Sequence, residues 1–87
     1  MSERIAGVAM RMTDRMFVSM PAPARHGDLI HELHLCGAGT YAHNEQGFVT
    51  DTGRYVNRIN ARTIATDANQ LKADARDHID LFSEDVW

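Results

Sequence analysis

The chain has 87 residues, which bounds it to one domain (1–87) with a small core that buries roughly 60–65% of its unfolded surface. That argues against a multi-step enzyme with a deep pocket inside one protomer and favours a binding module that gains buried area by self-association. With 44% hydrophobic and 24% charged residues, a net charge of −3 and no apolar run of about 18 residues, it reads as a folded soluble domain without a membrane span.

The segments follow in chain order. Residues 4–12 alternate at Val8, Met10 and Met12, and 15–20 alternate at Met16, Val18 and Met20, which predicts a β-hairpin around a Thr13-Asp14 turn. Pro21-Ala22-Pro23-Ala24 breaks the sheet as an extended connector. A helix is predicted from about Arg25 to Cys36, with Leu29, Ile30, Leu33 and Cys36 as its apolar stripe and Gly37 and Gly39 as its stop. Residues 38–46 read as a polar loop. Two short β-runs, 46–50 and 54–56, flank Asp51-Thr52-Gly53 and predict a second hairpin. Asn57 is a good helix N-cap, and a helix should run from Arg58 to about Gln70. Ala61, Ile64, Ala65, Ala68 and Leu71 would face the core. The acidic tail, 73–87, closes on Leu81, Phe82, Val86 and Trp87, an apolar anchor expected to dock. The fold class is α+β: two short antiparallel hairpins and two main helices in the order ββαββα, with a docked C-terminal tail.

Charge is uneven along the chain. Residues 74–87 carry five acids and one base, whereas 1–73 hold eight bases and seven acids. A strongly basic nucleic-acid binder is therefore not expected. The bases are eight Arg and one Lys, and Arg presents a planar fork suited to phosphate and carboxylate. Genomic base composition is the competing reason for that bias.

Three clusters could carry chemistry. His31-Glu32-Leu33-His34 has its histidines at i, i+3, where the zincin helix motif needs i, i+4. With His26 it makes three His on or near one helix; the plainer reading places them on the solvated side, with no metal. Cys36 near His34 reads as a buried small hydrophobe rather than a nucleophile. Arg25-His26-Gly27-Asp28 opens the first helix, where backbone N–H groups favour an anion and Arg25 could add a fork. The competing reading is that Asp28 only complements the helix dipole. In the third cluster, Phe48 precedes Gly53-Arg54-Tyr55-Val56-Asn57-Arg58. A ring beside guanidinium groups is what a nucleotide needs; the alternative is core rings beside surface charges.

The words at 21–30 (Pro-Ala-Pro-Ala-Arg-His-Gly-Asp-Leu-Ile), 46–58 (Gln-Gly-Phe-Val-Thr-Asp-Thr-Gly-Arg-Tyr-Val-Asn-Arg), 61–65 (Ala-Arg-Thr-Ile-Ala) and 81–87 (Leu-Phe-Ser-Glu-Asp-Val-Trp) together resemble a family of small bacteriophage accessory proteins. The set looks like the phage anti-Thoeris sponges, which capture cyclic ADP-ribose signals of a host immune enzyme. The resemblance implies a homo-oligomer in the host cytoplasm. It would bind a cyclic nucleotide at subunit interfaces without cleaving it, and need no cofactor. It points to Arg25, Phe48, Arg54 and Arg58 as ligand-binding residues, with His26, Asp28 and Asn57 in support. Asn60 departs from the pattern, standing where an acid of a capping box is expected. Two rival functions remain: a protein-binding, anti-CRISPR-like inhibitor whose acidic 74–87 segment imitates nucleic-acid charge, and a metal-dependent hydrolase using His26, His31 and His34.

Overall fold

Alternation of apolar side chains builds the sheet first. In the computed structural model, which describes residues 3–12, 16–37, 45–75, 77 and 79–87, the elements are β1 (Ile5–Arg11), β2 (Phe17–Pro21), α1 (His26–Leu35), β3 (Gln46–Thr50), β4 (Tyr55–Asn57), α2 (Arg58–Asp67) and a 3-10 turn, Ser83–Asp85. The order ββαββα is that of an α+β fold. The two hairpins join along β1 and β3 into one antiparallel sheet, ordered β2-β1-β3-β4. Register sets the core face. Val8 pairs with Met20 on one side and Phe48 on the other, and Phe48 pairs with Val56. Val8, Met10, Phe48 and Val56 are buried against Ala61 and Ala65 of α2, Leu29 of α1 and Leu81 of the tail. Burying a ring such as Phe48 stabilises by about 1.5–3 kcal/mol.

Small residues set the close approaches. Ala61 and Ala65 are fully buried, so α2 lies close to the sheet, as their size predicts. At Gly47 a Cβ would collide with the Val56 carbonyl and sit 2.7 Å from the Tyr55 ring, so that ring can fold over β3 only because the position is glycine. The Gln70 side chain adds to the edge of the fold. Its Oε1 accepts from Ile5 N at 2.8 Å and its Nε2 donates to Ile5 O at 2.9 Å.

Several expectations need correction. Met16 is 65% exposed and does not join Val18 and Met20 on the apolar face, because β2 starts at Phe17. Pro21 ends β2 rather than opening a connector. Ala22 N still bonds Ala6 O, and Ala24 N folds back to Pro21 O at 3.1 Å, so the segment is a turn, not an extended run. Of the apolar stripe predicted on α1, Leu29 and Leu33 face the core, whereas Ile30 and Cys36 are exposed. Helix α2 ends at Asp67 rather than Gln70. Asn69 takes φ 58°, Asn69 N bonds Thr66 O, and Gln70 N bonds Ala65 O. Those two bonds are a Schellman stop, which Asn can supply in place of Gly. The Thr13-Asp14 turn, Arg15 and loop residues 38–44 lie outside the described residues.

The tail docks, as its apolar ending predicts. Leu81 is fully buried, and Val86 and Trp87 pack against the core. Trp87 Nε1 donates to Ala24 O at 2.9 Å, and its ring meets Phe48 edge-on at 6.3 Å between centroids.

Candidate ligand cleft

Three arginines hold the tail, each by different chemistry. Arg25, the residue before α1, donates from Nη1 to Ser83 Oγ at 3.3 Å and from Nη2 to the main-chain oxygen of Trp87. Arg58, the first residue of α2, is 8% exposed. Its Nη1 donates to Leu81 O at 2.8 Å, its Nη2 to Gln46 Oε1 at 2.9 Å, and its guanidinium carbon lies 4.4 Å from the centroid of the Phe82 ring. Burial lowers the proton affinity of this guanidinium, opposed by the nearby carboxylates of Asp80 and Glu84 and by Tyr55. Arg62, one turn on, pairs with the buried Asp85 at 3.5 Å. Asp85 in turn accepts from Phe82 N at 3.0 Å and so fixes the 3-10 turn.

Between the start of α1 and this turn lies a cleft of about 420 Å³, lined by Arg25, Gly27, Asp28, Arg58, Phe82, Ser83 and Glu84 with His26 beneath. Gly27 is in the first turn of α1, where backbone N–H groups have no acceptor within the helix. Gly27 is exposed, and nothing lies within 4 Å of where its Cβ would be. Asp28 is committed to the helix start, its Oδ2 accepting from Arg25 N at 2.8 Å. Glu84 lies 3.9 Å from Arg25 Nη1, and both side chains are well exposed. Nε of Arg58 is buried without a hydrogen-bond partner among the described residues. Such a group costs desolvation energy unless a partner arrives.

The cleft therefore gathers Arg25, His26, Asp28 and Arg58 from the residues read as ligand-binding. It corrects the role of others. Phe48 is fully buried at the centre of the sheet, under His26 and Trp87, so it is a core ring that no ligand can stack on. His26 is buried rather than solvated. Its Nε2 lies 2.6 Å from Gly47 O and must carry the proton, since a carbonyl only accepts. His31 and His34 are exposed, and among the described residues no three metal-ligating side chains converge. Sequence reasoning placed Gly27 in the anion-favouring helix start and missed the last three residues of the cleft, Phe82, Ser83 and Glu84. The signal for the last three was present, because a tail anchored at Leu81 and Trp87 must carry 82–84 across whatever it docks on.

Residues 4–87 match the family of the phage T4 y16D protein. The chain belongs to this phage protein family. No curated protein and no solved structure matches it. For this y16D-family chain the phage part of the resemblance is thereby established. Among the described residues no helix is long and apolar enough to cross a membrane.

Arg54 and Asn57 stand apart from the first cleft. With Arg11, Tyr55, Val56 and Asn60 they line a second one, about 240 Å³. Arg54 is bound there in a bidentate pair, Nε and Nη2 each 2.7 Å from a carboxylate oxygen of Glu3. That pair, joined by the hydroxyls of Thr50 and Thr52, lowers the Glu3 carboxyl to a pKa of about 2. Asn57 caps α2, its Oδ1 accepting from Asn60 N at 2.8 Å. The missing acid at position 60 thus costs the helix only the return half of a capping box.

Proposed function

We propose that this phage protein is an anti-defence factor that binds a cyclic nucleotide immune messenger of the cyclic ADP-ribose type and sequesters it without cleaving it, with cyclic oligonucleotides within reach of the same chemistry. The observation that carries the reading is the cleft at the start of α1. It sets an exposed guanidinium (Arg25), a buried one with an unpaired Nε (Arg58), open backbone at Gly27 and the hydroxyl of Ser83 around one space. Guanidinium forks and helix-start N–H groups suit a pyrophosphate. Sequestration needs affinity and abundance rather than a reacting group, and it lowers free messenger by mass action. Self-association of two or more copies would bring further walls to so open a cleft. The test is to mix the protein with cyclic ADP-ribose isomers, measure native mass, then denature by heat. Retention followed by release of chemically unaltered ligand supports the reading; no retention, or an altered ligand, contradicts it.

A protein-binding inhibitor of a host defence complex is the second reading. Ile59 and Ile79, 54% and 75% exposed, favour it, since both line a groove on the outer side of α2. Salt-sensitive capture of a host protein that is lost when Asp74, Asp77 and Asp80 are neutralised would favour this reading over sequestration.

A further inference from the structure

We propose that the outer edge of β2 is a self-association surface, on which a second copy of this chain pairs its own β2 antiparallel about a two-fold axis at Val18. The proposal does not depend on the messenger reading. The strand register carries it. β1 and β2 pair Arg11 with Phe17, Met10 with Val18 and Ala9 with Ser19. Main-chain bonds run from Met12 N to Met16 O at 2.8 Å and from Ala22 N to Ala6 O at 2.9 Å. Bonded and non-bonded pairs alternate along an antiparallel ladder, so Met16, Val18, Met20 and Ala22 direct their N–H and C=O groups to β1. Phe17 and Ser19 direct theirs outward from the end of the sheet, where no group among the described residues bonds them. Sheet edges are commonly guarded by brevity, charge or cover. The β4 edge is guarded: it has three residues, follows Arg54 and runs straight into α2. The β2 edge is not. Residues 16–24 hold no charged side chain, and Pro21 blunts only the strand's end.

This edge fits itself. A pair centred on Val18 sets Phe17 against the second copy's Ser19, and Ser19 against its Phe17, so each outward N–H meets an outward C=O. Centring on Ser19 would instead oppose Phe17 to Pro21, which has no N–H to give. The same register brings Met16, 65% exposed, opposite the second copy's Met20, and Val18 opposite Val18. Val18 and Met20 already pack against the core, so the apolar surface closes between the copies. Two uncharged edges meet without local repulsion, although each chain carries a net charge of −3. The product is one continuous sheet of eight strands, four from each copy.

The test is sedimentation equilibrium of the full chain across protein concentration, without ligand. Wild type should dimerise. Ser19→Pro removes an outward N–H and puts a ring in the seam, and a lone copy tolerates it because that N–H faces solvent. This variant should be monomeric with an unchanged circular dichroism spectrum. Ser19→Ala keeps the N–H and should dimerise as wild type does. Met16→Lys sets a charge at the seam and should weaken dimerisation by about tenfold or more. Amide hydrogen exchange needs no variant: protection of the Phe17 and Ser19 N–H groups should rise with protein concentration. A wild type that stays monomeric overturns the proposal. So does a folded Ser19→Pro that dimerises like wild type, because the interface then lies elsewhere. If Ser19→Pro does not fold, exchange at Phe17 and Ser19 that is independent of concentration overturns it alone.

Discussion

The cleft at α1 and the cleft at Arg54 look alike in composition and differ in how their arginines are neutralised. Each has two arginines, an aromatic ring and the start of a helix. In the cleft at Arg54, a carboxylate meets the guanidinium edge to edge at 2.7 Å, so the fork that would hold a ligand is filled from within. In the cleft at α1, Arg58 donates to two carbonyl oxygens, those of Leu81 and the Gln46 side chain, which take hydrogen bonds without cancelling the charge. A guanidinium bonded to carbonyls still attracts an anion; one clamped by a carboxylate does not. Counting arginines in a sequence misses this distinction, because the partner decides it.

Removing the clamps one by one sharpens the comparison. The largest effect is expected from Arg58→Ala. It strips Leu81 O and Gln46 Oε1 of their donor and removes the plate over Phe82, costing about 2–4 kcal/mol in denaturant unfolding and freeing the tail. Comparable losses for Arg54→Ala would erase the contrast between the clefts. Asn57→Ala should cost about 1 kcal/mol by uncapping α2 and leave ligand retention unchanged, since its oxygen is committed to Asn60 N. Arg25→Gln should abolish retention of cyclic ADP-ribose by native mass. Its stability cost should be about 1 kcal/mol, because its pair with Glu84 is exposed and its bonds to Ser83 and Trp87 lie at a partly solvated surface. The smallest effect belongs to Glu3. Its folded pKa lies below the ordinary 4.5, so its contribution is fully present above pH 4.5 and is lost as pH falls toward about 2. Acid titration of Glu3→Gln against wild type should show the two curves converging over that window.

Much of the fold was legible in the sequence because local signals and burial agree. Alternation at Val8 and Met10, the cap at Asn57 and the Ala61/Ala65 face correspond to the packed core and the start of α2, while Met12 lies beyond the end of β1. The errors cluster where a side chain's partner comes from far along the chain. His26 looked solvated by helical spacing, yet Gly47 O, 21 residues away, draws it inside. Phe48 looked available beside Arg54 and Tyr55, yet its strand is interior and its side chain points to the helices. Phe82 read as part of an apolar anchor, and only the tail's return to α1 makes it and Ser83 a cleft wall. Arg25 and Arg58 were legible as candidates by residue type, but their joint cleft depended on where the tail docked.

Amide chemical-shift mapping of the labelled protein with cyclic ADP-ribose tests the central claim most directly. Shifts should concentrate on Gly27, Asp28, Ser83, Glu84 and the side-chain Nε–H of Arg58, with Asn57 and Asn60 unmoved. Shifts centred on Arg11, Arg54 and Asn60, or none at saturating ligand, would contradict it.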